Sequence, residues 1–459
     1  MTEKKRFYIL GMGRSGLSAA RLLRSRGAEV VIADEADEKR LCEPLQELSG
    51  LGVQMICGGF ADPQDVRADV IVICPGIPRD NRVVRVADKL GITVWGELEL
   101  ASRFLANDLI AVTGTNGKTT TASWIHHLLI TGGRDSILAG NIGMPLSSLV
   151  SEFDRDTVGV VEVSSYQLET VDTFHPKVAV ITNLSPDHLE RHGSMEQYRA
   201  VKARIFANQR PGDVTVLNGD DHRVRSLASR VPGEVLQFSM TTPVEGAYVS
   251  DGTIVLRRQG REEAVVAVSE LGIRGAHNVQ NALAAVCAAS GIGLSAGHMV
   301  EGLMSFRGVE HRMETVTVLD GVTYINDSKA TNPESVIMAL EAISEPVVLI
   351  LGGSPKNASY DGLAQVIGQR DVRTVLTGQT AGEIGQALER AGVMPVAVTE
   401  TLQEAVDQAR RLAKPGETVM LSPACASFDA FRNFEHRGSA FKEIVHGYGN
   451  KTRHRESGH

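Results

Sequence analysis

Short apolar runs rich in β-branched residues recur along this chain, and longer stretches of helical character separate them. In the first hundred residues the runs are 7–10, 29–34 and 70–74, with a helical stretch over 15–26. A second series opens at 109–113 and continues at 158–163 and 178–183; a third comprises 324–326, 347–351, 374–377 and 418–421. Strands alternating with helices predict βαβ units and parallel sheets, so the expected fold class is α/β. The three series imply three domains, 1–96, 97–307 and 308–459, the last break falling at the Arg307-Gly308 turn. At about 150 residues per domain, 459 residues fit that division. One helix is legible in detail. Ser194, with Gln197 three residues on, reads as a capping box opening a helix that runs to Asn208. At about 100° per residue Tyr198, Val201, Ile205 and Phe206 share one arc, and Lys202 falls inside it. Arg204 points away from that arc and Arg199 sits at its edge. The polar segment 447–459 is expected to fray.

Composition narrows the classes. The longest apolar run, 282–289, is far short of the roughly 18 residues a membrane span needs. Lys4, Lys5 and Arg6 are followed by too short an apolar run for a secretion signal. Five cysteines without a C-x-x-C pair argue against a disulfide framework and a zinc knuckle, and a reducing cytoplasm is expected. Lys and Arg number 47 against 55 Asp and Glu, a net charge of −8, so neither nucleic acid nor an anionic membrane is an expected partner. The chain is expected to be a monomer. Its 46 glycines exceed the usual share of about 7% and direct attention to turns where backbone approaches a ligand.

Two glycine loops stand out. Gly11-Met12-Gly13-Arg14-Ser15-Gly16 follows the first strand and opens the first helix, with Asp34 ending the next strand. This is a G-x-G-x-x-G turn, whose glycines let backbone approach a phosphate at a helix N-terminus. It fits a nicotinamide cofactor, another nucleotide diphosphate or a purely structural turn, and a Rossmann-like first domain in each case. The second loop, Gly114-Thr115-Asn116-Gly117-Lys118-Thr119-Thr120, lies between an apolar strand and a helix reaching Leu128-Leu129. It reads as a phosphate loop: Gly117 and its neighbours turn N–H groups toward phosphate oxygens, Lys118 neutralises β/γ charge and Thr119 is placed for Mg²⁺. Val112 stands where the common form has its first glycine, which argues against ordinary GTPases and motor ATPases. His188 and His192, four apart, share a helix face but lack the second-position glutamate of a zinc protease.

The second loop, with Thr113 before it, resembles the phosphate loop of the Mur ligase family, whose members join an amino acid to a carboxylate at the expense of ATP. Further pieces resembling family motifs follow in order: Glu162 to Glu169, Asn183 to His188, His277 to Asn281, Glu310 to Arg312, and Asn326 to Asn332. The segment Ser422-Pro-Ala-Cys-Ala-Ser427-Phe428, continuing through Phe434 to Gly438, is similar to the branch that adds D-glutamate. The resemblance spans residues 7 to about 445. It implies a Rossmann-like N-terminal domain, a central phosphate-loop ATPase-like domain and a Rossmann-like C-terminal domain. It also implies ATP-driven addition of D-glutamate to UDP-N-acetylmuramoyl-L-alanine through an acyl phosphate and a tetrahedral intermediate. That reaction belongs to peptidoglycan precursor synthesis, and so to cell-wall growth, cell shape and division.

Site roles are carried over by the same resemblance. Gly114 to Thr120 would cradle ATP, helped by Asn278, Arg312, Asp327 and Lys329, with Arg312 engaged by domain closure. Thr119, Glu162, His188 and Lys202 would hold two Mg²⁺ ions, and with Lys118 the last three form the catalytic set. Ser15, Gly16, Asp34, Glu35, Pro75 and Gly76 would receive the uridine diphosphate part, Glu35 standing where the family often has a small hydroxyl residue. Asn141, Ser164 and Gln167 would contact the acceptor near its reacting end. Thr331, Lys356, Ser427, Phe428 and Phe434 would receive D-glutamate, Pro355 replacing an acid often found before the lysine.

Lys202 joins both lines of reasoning. Burial disfavours an ammonium, and a neutral amine reacts with CO₂ to give a carbamate that offers oxygen ligands to Mg²⁺. The helix face alone favours a snorkelling lysine; the resemblance implies the carbamate. Three alternatives share parts of the pattern: a nicotinamide-dependent oxidoreductase using the first turn, a folate polyglutamate ligase sharing the phosphate loop, and a phosphate-loop nucleotide switch. The oxidoreductase leaves Lys118 without a task, and the switch leaves 422–438 unexplained.

Overall fold

The computed structural model describes residues 5–141, 143–341, 343–355 and 358–456. They divide into two compact units, 1–306 and 307–459. The first unit opens with β1 (Arg6–Leu10), β2 (Glu29–Ala33), β3 (Gln54–Ile56), β4 (Val70–Ile73) and β5 (Thr93–Gly96), a parallel sheet in the order β3-β2-β1-β4-β5. Its central strands are apolar at nearly every position and buried on both faces, as a sheet covered by helices on both sides requires. The glycine turn after β1 and the Cys74–Gly76 loop after β4 flank the point where strand order reverses, the place where such sheets bind ligands.

The second sheet comprises β6 (Leu109–Thr113), β7 (Ser136–Gly140), β8 (Val158–Glu162), β9 (Val178–Ile181), β10 (Val214–Asn218), β11 (Glu234–Ser239), β12 (Gly246–Ser250), β13 (Thr253–Arg258) and β14 (Arg261–Ala267). Its order is β14-β13-β12-β11-β10-β9-β6-β8-β7, parallel except for β13 and β14, which meander antiparallel from β12. β6 therefore lies between β8 and β9, with Val112 opposite Glu162 and Thr113 opposite Ile181. The loops after all three converge on one end of the sheet.

Two buried acids join the helix Glu97–Ser102, which follows β5, to the second sheet's layer. Glu99 accepts the backbone N–H groups of Asp172, Thr173 and Phe174, the Thr173 hydroxyl and Arg103 Nε. Burial pushes its carboxyl up, but these bonds outweigh burial and hold it below the usual range. Glu97 Oε1 accepts the Ser147 N–H at 2.6 Å, and Arg103 Nη2 reaches Asp172 Oδ2 at 2.7 Å.

In the second unit β15 (Glu314–Leu319), β16 (Val322–Asn326), β17 (Val347–Leu351), β18 (Val372–Thr377), β19 (Ala397–Thr399) and β20 (Thr418–Leu421) take the order β15-β16-β20-β17-β18-β19, with only β15 antiparallel. Two sequence expectations need correction. The helix opening at Ser194, whose hydroxyl accepts the Gln197 N–H at 3.2 Å, stays α-helical only over Met195–Ala203. It then tightens to a 3₁₀ turn over Arg204–Phe206, where Arg204 donates to the carbonyls of Glu169 and Val171. The segment expected to fray instead continues a helix over Phe434–Glu456.

Candidate active site

β6 delivers the chain into the loop Gly114–Gly117, and the helix Lys118–Thr131 leaves it. Gly114 has φ +146°, and a Cβ there would lie 1.9 Å from Thr182 Oγ1. Gly117 has φ +80°, and its Cβ would lie 2.4 Å from Asn281 Oδ1. Both positions require glycine. The loop is braced from β9's end: Asn183 Oδ1 accepts the Asn116 N–H at 2.8 Å, while Asn183 Nδ2 and Thr182 Oγ1 donate to Asn116 O at 3.0 and 2.6 Å. Lys118 Nζ donates to Thr115 O at 2.7 Å. The loop's shape is thus held by the protein's own hydrogen bonds.

Beside the loop, Thr119 Oγ1 donates to Glu162 Oε2 at 2.7 Å and Asn141 Nδ2 to Oε1 at 2.8 Å. Glu162 is buried at the end of β8. Here a phosphate-loop hydroxyl, a strand-end carboxylate and an amide already form one cluster, an oxygen-rich donor set suited to a hard cation. Ser164 and Gln167, just beyond, form a capping box on the short helix Ser165–Leu168, with the Ser164 N–H donating to Gln167 Oε1 at 2.9 Å.

Lys202 is 2% exposed. Its Nζ donates to Gly114 O at 2.8 Å and Thr113 Oγ1 at 3.2 Å and lies 4.8 Å from the centre of the Tyr198 ring. Burial, with Lys118 nearby, holds its pKa well below that of an ordinary lysine, against the pull of Asp187 and Glu162. The expected inward-facing amine is therefore at the head of the phosphate loop. Tyr198 shares a hydrogen bond of 3.1 Å with Thr115 Oγ1, and burial pushes its phenol up to about 12. His188 has φ +51° and is exposed, its ring 5.0 Å from that of Tyr166. His192 is instead buried, with Nε2 3.0 Å from Ser165 Oγ, so the two histidines do not form a pair.

On the first sheet Gly16 sits where a Cβ would overlap Gly11 O at 2.0 Å, which closes the turn tightly. Asp34 accepts the Met12 N–H at 2.7 Å and the Ala36 N–H at 2.9 Å, so it braces the turn. Ser15 and Pro75 are half-buried around the crevice, and Glu35 and Gly76 are exposed.

In the second unit Asp327 is 4% exposed and accepts the Ser422 hydroxyl at 2.6 Å and the Met313 N–H at 3.1 Å. Burial raises its carboxyl to about 6. Lys329 lies 5.9 Å from the centre of the Phe434 ring, and Arg312 and Thr331 are half-buried nearby in the chain. Ser427 is buried, whereas Phe428 is 73% exposed and donates its N–H to Ser354 Oγ at 2.9 Å. Lys356 lies outside the described residues. Glu310, His311 and Glu314 gather within ligand distance of one another, but Lys442 Nζ donates to both carboxylates and offsets half of their charge.

The structure adds residues not singled out for the site. Tyr198, Thr182 and Asn183 brace the phosphate loop, and Arg437 clamps the 425–428 turn by donating to the carbonyls of Ser328, Cys425 and Ala426. Their sequence signal was weak, because each acts across a separation that depends on strand order. Asn278 and Asn281 share a hydrogen bond of 3.3 Å on the helix Ala276–Gly291, which sets Asn281 against Gly117.

Comparison with known proteins yields three matching family models: the Mur ligase MurD-like N-terminal domain over 5–96, the Mur ligase middle domain over 112–289, and the Mur ligase glutamate ligase domain over 311–425. Among curated relatives, a UDP-N-acetylmuramoylalanine--D-glutamate ligase of Pelotomaculum thermopropionicum is 46% identical over 96% of this chain and 97% of its own. One of Koribacter versatilis is 41% identical over 96% and 97%. Among solved structures, UDP-N-acetylmuramate-alanine ligase MurC of Thermotoga maritima matches with a TM-score of 0.57 at 20% identity, over 96% of this chain and 99% of that one. MurF of Acinetobacter baumannii matches with a TM-score of 0.60 at 19% identity, over 91% and 92%. The structural matches speak for the fold.

Proposed function

Because the chain belongs to the Mur ligase family, we propose that it is an ATP-dependent ligase that adds D-glutamate to UDP-N-acetylmuramoyl-L-alanine in peptidoglycan precursor synthesis. The observation that carries the chemistry is the braced phosphate loop with Thr119 paired to the buried Glu162 at 2.7 Å. The acceptor and the amino acid rest on the relatives' names across nearly the whole chain. The nicotinamide and folate readings are set aside, since the first-domain model matched is MurD-like.

In this reading the acceptor carboxylate attacks the γ-phosphorus of ATP, and ADP leaves. The amine of D-glutamate then attacks the acyl carbon, a tetrahedral species forms, and it collapses with loss of phosphate and a proton. Positioning and charge neutralisation account for most of the rate in such transfers. Lys118 and the amides of Gly114–Thr120 hold the phosphates, joined by Asn278 and, from the second unit, Arg312, Asp327 and Lys329. The donor set of Thr119, Glu162, His188 and a carbamate on Lys202 suits Mg²⁺, proposed as two ions, which would neutralise charge on the transferring oxygens. Asn141, Ser164 and Gln167 orient the acceptor's reacting end. Ser15, Gly16, Asp34, Glu35, Pro75 and Gly76 hold its uridine diphosphate part. Thr331, Lys356, Ser427, Phe428 and Phe434 receive D-glutamate. We place the domain limits at 96/97 and 307/308 and the protein in the cytoplasm as a monomer; among the described residues no helix is long and apolar enough to cross a membrane. The test is ADP release with D-glutamate and UDP-N-acetylmuramoyl-L-alanine, singly and together. Release only with both supports the reading, and release that ignores either one contradicts it.

A further inference from the structure

Arg191 lies three residues beyond His188, and its N–H donates to His188 O at 3.1 Å. Its guanidinium bonds Glu169 twice, Nε to Oε1 at 3.0 Å and Nη2 to Oε2 at 2.6 Å. Nη1 donates to Pro75 O at 3.3 Å. The same group lies 4.0 Å from the centre of the Tyr166 ring, which in turn meets His188. One mostly buried side chain therefore touches the loop after β4, the segment after β8 and the turn after β9.

We infer that Arg191 is a positioning residue that couples filling of the Pro75–Gly76 loop by the acceptor's nucleotide end to the placement of His188 and the Ser164–Gln167 segment at its reacting end. This rests on the proposed function for the identity of the acceptor. A simple staple between the two layers is the competing account. That task is already performed at the helix Glu97–Ser102, where Glu99 takes four donors from the other layer and Glu97 a fifth. The Arg191 cluster sits elsewhere, at the ligand-binding ends of β4, β8 and β9. Its chemistry also exceeds a charge pair: the planar fork fixes Glu169, the third nitrogen reaches the loop, and the face stacks on Tyr166. A lysine can reproduce only the charge.

The experiment uses full-length protein carrying Arg191→Lys or Glu169→Gln. Misplacement of a reacting group is costly, so KM for UDP-N-acetylmuramoyl-L-alanine should rise about tenfold and kcat fall about tenfold, with KM for ATP and D-glutamate within about twofold. Hydrogen exchange at the amides of Gly76, Ile77 and 189–192 should quicken together, while Asn116–Thr120 stay unchanged. Parent-like kinetics and exchange in Arg191→Lys would overturn the inference, and so would an equal rise in all three KM values with faster exchange throughout. If the parent protein makes no product, the proposed function fails and UDP decides the coupling separately. UDP should slow exchange at 189–192 in the parent but not in Arg191→Lys, and an equal response in both overturns it.

Discussion

Replacing Asp327 with Asn should stabilise the second unit at neutral pH and weaken it in acid. The fold raises this carboxyl from 3.8 to about 6, through burial that outweighs the Ser422 and Met313 hydrogen bonds. Between those values the folded state keeps a proton that the unfolded chain releases, so stability falls as pH rises from about 4 to about 6 and is level above that. At about 1.4 kcal/mol per pH unit, the ionised carboxylate costs roughly 3 kcal/mol above this window. Asn keeps the shape and cannot ionise, but loses one of the two accepted bonds, worth about 1 kcal/mol. The variant should therefore be about 2 kcal/mol more stable near pH 8 and about 1 kcal/mol less stable near pH 4. Native-state hydrogen exchange at the amides of β16 and β20, in ligand-free protein, reads this locally. A difference between variant and parent that does not change with pH would refute the reasoning.

Lys202→Ala should cripple turnover and regain part of it with added formate or acetate, and stripping CO₂ should inhibit the parent; full activity in Lys202→Arg would contradict the carbamate. Gly117→Ala must hold an L-residue at φ +80° with its Cβ 2.4 Å from Asn281 Oδ1. The left-handed conformation costs about 1–2 kcal/mol before any clash, so calorimetry should show ATP binding weakened at least about tenfold with acceptor binding intact. Ser427→Ala should raise KM for D-glutamate more than KM for ATP, and the parent should use L-glutamate poorly. Comparable turnover of the two enantiomers would count against the D-glutamate assignment.

Parallel strands such as Val347–Leu351 were legible because they are buried on both faces and read as unbroken apolar runs, whereas the partly exposed parallel strands Gln54–Ile56, Ser136–Gly140 and Ala397–Thr399 passed unread. The antiparallel margin was not: Arg261–Ala267 is exposed along its first half and resembles a charged loop. Lys202 could be turned inward from the arc of its own helix, which is local information. That its amine meets Gly114 O depends on β6 lying beside β9, and no local pattern encodes strand order. The same limit hid Arg191. In sequence it is one of two charges between two histidines, and only the fold brings Pro75, Tyr166 and Glu169 around it. The helix after Ser194 ended early because Arg204, expected to face away, finds backbone carbonyls in a neighbouring segment.

Glu97 and Glu99 have a consequence for selectivity. Glu99, held by four donors of the opposite layer, cannot slide without losing several bonds at once, and Glu97 adds one more tie, so the crevice of the first sheet and the phosphate loop of the second are held at a set separation. With the ligand sites of the proposed function, both in one compact unit, that separation would act as a gauge of length. The proposed acceptor, gripped at its nucleotide end, would bring its carboxylate to the Thr119–Glu162 cluster only if the intervening sugar and peptide have the right span. On that reading, distance between the two sites would add to the contacts of Asn141, Ser164 and Gln167 in keeping the order of addition to a growing peptide.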